Sequence, residues 1–127
     1  MKNHCYCGSV KLYQDCCRPL LHGLVMAATP EQLMRSRYSA YAQGNFGEYL
    51  LATWFPPMAK DLTVASLSEK NHDWCGLAIL DSGNSGDSGW VEFKADFRTP
   101  DGIDSLHERS VFTRINTKWF YVGGEIK

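Results

Sequence analysis

The sequence predicts an α+β domain in which N-terminal helices pack on one face of an antiparallel β-meander. Three observations lead to this prediction: a helical repeat of apolar residues within 29–44, four strand-like segments after it, and turn residues between those segments. With 127 residues and 44% hydrophobic residues, the chain has the material for one domain and a small appendage. We therefore divide it into a cysteine segment at 1–18, a connector at 19–28 and a main domain at 29–127.

The main helix has start and stop residues that can be recognised in the sequence. Thr29 suits the N-cap, Pro30 suits the first helical position, and Gln32 completes a capping box with Thr29. Gly44 suits the position after the last turn. Between these ends, five side chains recur at helical spacing: Leu33, Met34, Arg37, Tyr38 and Tyr41.

The segments on either side of this helix are predicted to be less regular. A second, short helix is expected to run to Leu51 with Asn45 and Glu48 as its capping box, and the segment FPPM then ends it. In the connector, Pro19 and Gly23 are expected to break regular structure.

The second half of the chain changes to the two-residue period of strands. Four segments rich in aromatic and β-branched residues, DWCGLAIL, GWVEFKADF, SLHERSVFTRI and KWFYVGG, predict four consecutive antiparallel strands. The stretch DSGNSGDSG is predicted to be a flexible hairpin loop, and RTPDGID and INTK are predicted to be turns. Alternation places one set of side chains on the apolar face of the second strand: Val91, Phe93, Ala95 and Phe97.

Charge and hydropathy narrow the class of protein. The formal net charge is −1, so the overall field favours neither nucleic acid nor a membrane surface. No apolar run approaches the ~20 residues that a membrane-spanning helix needs, and the start MKNHCYCGSV lacks the hydrophobic core of a signal peptide. We therefore expect a cytoplasmic protein in a reducing compartment, where clustered cysteines are first interpreted as metal ligands.

Four of the five cysteines lie in the segment CYCGSVKLYQDCC. Cys5 and Cys7 are separated by one residue, and Cys16 and Cys17 are adjacent, so the two pairs can meet if the chain reverses at Gly8. Four thiolates at about 2.3 Å would close the tetrahedral shell of a zinc ion, which is typical of a structural site because a catalytic zinc keeps one position open.

Other interpretations of these cysteines stay open. They can form disulfides or remain free thiols, although adjacent cysteines pair poorly and a reducing compartment disfavours bridges. Iron can compete with zinc at a site of four thiolates. His4 or His22 can replace one of the four ligands, and Cys75, in a strand segment, is interpreted as a small buried hydrophobe.

A polar cluster is predicted on the helix-facing side of the sheet. Glu108 shares a strand face with Phe112, and a buried carboxylate needs a partner, which we predict to be Arg37 or Arg35. The cluster has two interpretations: an ion pair that braces helix against sheet, which we favour, or an acid–base pocket. The candidate pocket residues are Arg35, Arg37, Tyr38, Tyr41, Glu108 and Ser110.

The cysteine segment resembles the SEC-C motif, a zinc knuckle known from the tail of the SecA translocation motor, where it binds the SecB chaperone. The usual pattern is C-P-C-G-S-G-K-K-Y-K-K-C-C/H-G, so the resemblance places zinc ligands on Cys5, Cys7, Cys16 and Cys17. Three positions differ from the pattern: Tyr6 replaces proline, Val10 replaces the second glycine and Arg18 replaces the last glycine. The resemblance implies a protein partner, such as an export chaperone or the ribosome.

The resemblance extends over nearly the whole chain. The segments LMRSRYSAYAQGNFGEYLLATW, GLAIL, VEFKADF and HERSVFTR are similar to the YchJ-like family of SEC-C proteins, whose main domain resembles the NTF2-like fold. This resemblance implies a curved sheet wrapped around helices, in the form of a cone with a pocket.

We therefore expect a zinc-binding, non-enzymatic adaptor that docks on a protein partner through its knuckle. The alternative is a small-molecule binder or enzyme that uses the pocket around Glu108, Arg37 and Tyr38. A third, weaker hypothesis is nucleic-acid binding through a thin basic patch in the knuckle: Lys2, Lys11 and Arg18 against Asp15.

Overall fold

The computed structural model describes residues 4–127 and confirms the α+β class. The helices are α1 (Arg18–Leu21), α2 (Pro30–Gln43), α3 (Gly47–Ala52) and α4 (Val64–Leu67), with 3-10 turns at Tyr13–Asp15 and Pro56–Met58. The strands are β1 (Asp73–Ser85), β2 (Ser88–Thr99), β3 (Gly102–Ile115) and β4 (Lys118–Ile126). They form one antiparallel sheet in the order β1-β2-β3-β4, which is a meander.

Helix α2 begins and ends where the sequence predicts. The Gln32 amide donates to Thr29 Oγ1 at 3.1 Å, and Gly44, with φ 77°, donates its N–H to Ala40 O at 3.0 Å. The capping box is shifted by one residue, because Gln32 Oε1 accepts from the amide of Ala28 at 2.6 Å. These bonds satisfy backbone groups that a helix end leaves without partners.

The predicted capping box of α3 is wrong. Asn45 has φ 68° and donates its N–H to Ser68 O at 2.8 Å, which places it outside the N-cap position. Ser68, at the end of α4, instead accepts from the Gly47 amide through its Oγ at 3.0 Å. A distant side chain therefore caps this helix.

The predicted flexible loop DSGNSGDSG is also wrong, because β1 continues to Ser85 and the turn contains only Gly86 and Asp87. Gly83 permits this extension: a Cβ there would lie 2.6 Å from the indole of Trp90, its partner in β2. At the third hairpin the turn residues Asn116 and Thr117 have φ 51° and 69°, as a two-residue turn between right-twisted strands requires.

One face of the sheet packs on α2 and forms the core. Val91, Phe93 and Ala95 are buried on β2, Ser110 and Phe112 are buried on β3, and the predicted alternation is confirmed. Phe97, at the end of the same row, is half-buried. The opposite face carries charged cross-strand contacts, such as Arg109 Nη1 to Glu92 Oε1 at 3.3 Å.

The connector is more regular than predicted. Pro19 occupies the first turn of α1, where its missing N–H is not needed, so it does not break structure there. Gly23, with φ 74°, does follow the end of the helix. Leu20 and Leu21 are buried in the same hydrophobic cluster as the α2 side chains and three of the knuckle cysteines. No helix among residues 4–127 is long and apolar enough to cross a membrane.

Candidate functional site

The structure brings the four predicted cysteines together. The ligand atoms of Cys5, Cys7, Cys16 and Cys17 all lie within 4.8 Å of one another. Cys7 Sγ is 3.7 Å from Cys16 Sγ, which is 3.9 Å from Cys17 Sγ. A tetrahedron of sulfurs at about 2.3 Å from a zinc ion has edges of about 3.8 Å. The four thiols therefore have the spacing of a tetrathiolate metal site.

A tight reversal of the chain produces this arrangement. The Cys5 amide donates to Lys11 O at 2.8 Å, and the Gly8 amide donates to Cys5 O at 3.1 Å. Gly8 has φ 84°, and a Cβ there would lie 3.0 Å from Leu77 O in β1. Because both the backbone conformation and this close approach favour glycine, Gly8 holds the first cysteine pair against the sheet.

Polar groups surround the sulfurs. Ser9 Oγ lies 3.3 Å from Cys16 Sγ, and Ser39 Oγ lies 3.8 Å from Cys5 Sγ. Arg35 donates from Nη1 to Cys7 O at 2.9 Å, with the same nitrogen 3.9 Å from Cys7 Sγ. Such contacts offset the negative charge of a thiolate site and orient its ligands.

Hydrogen bonds within the cluster shift the pKa values of Cys7 and Cys17 in opposite directions. Those from the Cys17 and Cys5 side chains lower the pKa of Cys7. The hydrogen bonds of Cys17 with Cys5 and Cys7, together with burial, raise the pKa of Cys17. The lowered pKa of Cys7 and its contact with Arg35 both favour the thiolate form at this position.

The structure distinguishes among the alternative interpretations of the cysteines. All five cysteines are free thiols rather than disulfides. His4 and His22 are exposed and lie outside the four-cysteine group, and Cys75 is half-buried in β1 rather than fully buried. The four-cysteine group could therefore hold a metal ion without a histidine.

The pocket lies between α2 and the sheet and has a volume of about 250 Å³. Five of the six candidate residues line it: Arg37, Tyr38, Tyr41, Glu108 and Ser110. The sixth, Arg35, lies at the cysteine cluster, where its Nε donates to Glu31 Oε2 at 3.0 Å.

The predicted ion pair of Glu108 with an arginine is wrong. Glu108 Oε2 accepts from Ser110 Oγ at 2.6 Å and from Tyr121 OH at 3.2 Å. Gly124 on β4 leaves room for this carboxylate, because a Cβ at that position would overlap it. Tyr121 thus takes the role that was predicted for an arginine.

Arg37 is buried, with 3% of its surface exposed, and it braces α2 against the end of α3. Its Nη1 donates to Leu50 O at 2.8 Å and to Thr53 Oγ1 at 2.6 Å. The guanidinium carbon lies 4.7 Å from the ring centres of both Trp54 and Tyr121. Burial lowers the pKa of Arg37. The charge is therefore held by neutral groups and aromatic faces rather than by a carboxylate.

Aromatic side chains form most of the remaining wall. Trp74 contacts Tyr38 with ring centres 6.1 Å apart, and His72 packs on Trp74 and Phe97 at 5.0 and 4.4 Å. Burial raises the pKa of Tyr38 to about 12, and burial and the nearby Glu108 raise that of Tyr121. The phenols therefore stay neutral at pH 7.

The candidate set left out nine residues that line the pocket, and four of these are aromatic or imidazole side chains with no predicted pocket role: Trp54, His72, Trp74 and Tyr121. Tyr121 and Trp74 lie in predicted strands, so their aromatic character was visible, but the side of the sheet that each one faces depends on strand bulges. The register shifts between Trp74 and Gly76 and again between Val111 and Phe112. Simple alternation does not include such shifts.

Comparison with known proteins agrees with the fold and the cysteine cluster. The family described as YchJ, middle NTF2-like domain, matches residues 29–124. The chain belongs to this family. A UPF0225 protein of Sodalis glossinidius is 41% identical over 132 residues, covering 98% of this chain and 84% of the relative. A UPF0225 protein of a Shewanella species is 40% identical over 131 residues, covering 94% and 79%.

Two solved structures resemble the YchJ-like chain over nearly its whole length. The solution structure of a SEC-C motif containing protein from Rhodopseudomonas palustris has a TM-score of 0.88 and 40% identity, and 98% of each chain is covered. The crystal structure of a SEC-C motif containing protein from Psychrobacter arcticus has a TM-score of 0.83 and 34% identity, with 97% of this chain and 82% of that chain covered. The predicted SEC-C knuckle and NTF2-like domain are therefore confirmed.

Proposed function

We propose that this YchJ-like protein binds a small molecule in the pocket between α2 and the sheet, and that a structural zinc ion fastens the knuckle to the same domain. The observation that carries the proposal is the pair of charged groups lining one apolar pocket. Arg37 is buried with no carboxylate among its hydrogen-bond partners in residues 4–127, and Glu108 is half-buried beside aromatic rings. Charged groups are costly to bury, so a few of them converging on an apolar pocket favour a ligand site.

Zinc is the ion proposed for the knuckle. Four thiolates with tetrahedral spacing suit zinc, and the closed shell supplies fold stability rather than a reactive position. Cys5, Cys7 and Cys17 are buried in the main hydrophobic cluster, so the metal would hold the N-terminal segment to the domain core.

The zinc proposal is tested by metal analysis of purified protein. We expect about one zinc per chain in the wild type and in Cys75→Ser, a matched control because Cys75 lies outside the cluster. Cys16→Ser is expected to lose most of the metal. Iron in place of zinc would correct the identity of the ion, and a wild type without metal would contradict the proposal.

The ligand-binding proposal is tested by a fragment screen with backbone NMR detection. Binding in the pocket is expected to move signals from α2, β2 and β3, and Leu106→Trp, which fills the pocket from one wall, is expected to abolish these shifts. Val111→Trp serves as the control, because Val111 is 49% exposed and does not line the pocket. Shifts that persist in Leu106→Trp would contradict the proposed site.

A second candidate function is that of an adaptor, supported by exposed apolar side chains in the N-terminal part. Val10 is 83% exposed on the knuckle, and Val25 and Met26 are 52% and 58% exposed in the connector. Val25 and Met26 border a groove lined by Trp119, whose buried Nε1 has no hydrogen-bond partner among the described residues.

The adaptor hypothesis names an export chaperone or a ribosomal protein as partner. Met26→Asp is expected to weaken binding to such a purified partner, whereas Ile103→Asp, at an exposed apolar residue of a distant hairpin, is expected to leave binding unchanged. Equal binding by both variants would count against this surface. The nucleic-acid hypothesis stays a prediction: Lys11 and Arg18 are exposed, and Lys2 lies outside the described residues.

A further inference from the structure

The carboxylate of Glu108 has one oxygen engaged and one left for a ligand. Both hydrogen bonds that it accepts from residues 4–127 end at Oε2, from Ser110 and from Tyr121. These two hydroxyl groups direct their protons to Oε2, so neither is a donor to a ligand. Glu108 lines the pocket, and Oε1 is therefore an acceptor that suits an N–H donor on a bound molecule.

Arg37 brings one positive charge to the pocket that Glu108 lines, without pairing directly with that carboxylate. Its Nη1 donates to Leu50 O and Thr53 Oγ1, and the rings of Trp54 and Tyr121, which meet edge to face, lie 4.7 Å from its guanidinium carbon. Tyr121 contacts both charged groups: its ring lies 4.7 Å from the Arg37 guanidinium carbon, and its hydroxyl donates to Glu108 Oε2.

The three tyrosines that line the pocket, at 38, 41 and 121, add no charge at pH 7, because burial raises the pKa of each phenol. One cation and one anion thus make the pocket neutral overall, and a charged ligand would add an uncompensated charge to a low-dielectric site.

The shape of the pocket favours a small planar ligand. Its volume of about 250 Å³ is below the roughly 300–1,000 Å³ typical of sites for drug-sized molecules. Tyr38, Trp74 and Phe93 line it, and aromatic walls favour stacked or edge-on contacts with a ring.

We infer, on the basis of the proposed ligand-binding function, that the pocket takes an uncharged aromatic molecule of about one ring that donates an N–H hydrogen bond to Glu108 Oε1. Four single-ring probes distinguish this ligand class from neutral acceptors, anions and cations. Aniline is a neutral donor, acetophenone is a neutral acceptor, benzoate is an anion and benzylammonium is a cation. Each is titrated into the wild-type protein, and the backbone and indole N–H signals are followed by NMR.

Glu108→Gln tests whether a ligand needs a hydrogen-bond acceptor at this position, in addition to any effect on stability. Ser110 and Tyr121 both donate at the Oε2 position, so they are expected to hold the amide oxygen there and to place the NH₂ group at the position of Oε1. The variant thus presents a donor where the wild type presents an acceptor. Glu92→Gln is the control, because Glu92 lies on the opposite face of the sheet and bonds to His107 and Arg109.

Wild type and Glu92→Gln are expected to bind aniline about tenfold more tightly than acetophenone, as one hydrogen bond to a charged acceptor allows. Glu108→Gln is expected to reverse this preference. Tightest binding of benzoate or benzylammonium, or an unchanged preference in Glu108→Gln, would overturn the inferred ligand class. The pocket would still be a binding site in either case. If none of the probes moves the pocket signals, the ligand-binding function itself fails. The wild-type comparison alone decides the ligand class if Glu108→Gln does not fold.

Discussion

Replacement of Arg37 by methionine tests whether this buried cation braces the helices independently of Glu108. Methionine keeps a long apolar stem but removes the charge and its donors. We expect Arg37→Met to lower the free energy of unfolding, because Arg37 links α2 to Leu50 and Thr53 near the end of α3 and to the rings of Trp54 and Tyr121.

The magnitude follows from opposing contributions. Two hydrogen bonds from a charged donor contribute about 1.5–3 kcal/mol each, and each cation–π contact contributes about 0.5–2 kcal/mol. Burying an ion costs several kcal/mol, and the variant no longer has that cost. The Thr53 hydroxyl lies 3.3 Å from Leu50 O but 2.9 Å from Tyr49 O, so its one proton satisfies the Leu50 carbonyl only in part. We therefore expect a net loss of about 2–3 kcal/mol for Arg37→Met.

The assay is urea unfolding at pH 7, followed by circular dichroism and tryptophan fluorescence. Arg109→Met is the matched control: Arg109 also lies over an indole, that of Trp90 at 5.7 Å, but on the exposed face of the sheet. Exposed ion pairs contribute about 0–1 kcal/mol, so this variant should lose less. Equal losses in the two variants would refute the brace.

A double-mutant cycle with Glu108→Gln separates the brace from the ion pair that the sequence predicted. Tyr121 contacts both side chains, so some coupling through it is expected; a coupling energy above about 3 kcal/mol would indicate direct pairing and contradict the separation seen here.

Three further predictions concern the pocket carboxylate, the metal and alkaline pH. Gly124→Ala places a methyl group on the Glu108 carboxylate and should cost about 1–3 kcal/mol in urea unfolding, whereas Gly123→Ala has open space and should be better tolerated. A chelator should increase amide hydrogen exchange within residues 4–18 and lower the melting temperature, and complete unfolding would contradict an independently folding main domain. Because the folded pKa of Tyr38 is about 12 and the unfolded value is about 10, unfolding free energies should be unaffected by Tyr38 below pH 10 and fall above it; a constant value from pH 9 to pH 12 would contradict this.

Features decided by neighbouring residues were predictable from the sequence. Thr29, Gln32 and Gly44 fix the ends of α2 through bonds that span three or four residues, so their pattern is visible along the chain. The cysteine cluster was predictable for the same reason, because its two thiol pairs meet through a local reversal at Gly8.

Features decided by distant residues were not predictable in this way. Ser68 caps α3 from 21 positions away, so Asn45 looked like the better cap in the sequence alone. The extended first hairpin depends on Trp90 packing over Gly83, a contact between strands that composition does not reveal. In each case a tertiary contact overrides a local preference.

The pocket shows why alternation predicted the neighbours of Glu108 but not its partner. Alternation placed Glu108 and Ser110 on the helix-facing side correctly, and helical spacing placed Arg37 at the same pocket. An arginine side chain is long enough to choose among several acceptors, and here Arg37 reaches the Leu50 carbonyl of α3. The bulge at Val111 and Phe112 sets where Tyr121 meets β3, and Tyr121 then donates to Glu108.

Helix α2 is the physical link between the two candidate sites. Arg35 points to the cysteine cluster through Cys7, while Arg37, two residues further along, lines the pocket and holds α3. Residues two apart on a helix face different directions, so one rigid element can contact both sites at once. A metal ion that orders the cysteines would therefore also restrain the helix that forms one wall of the pocket. The cysteine cluster and the pocket are in this sense parts of one structure, although the proposed role of each can be tested alone.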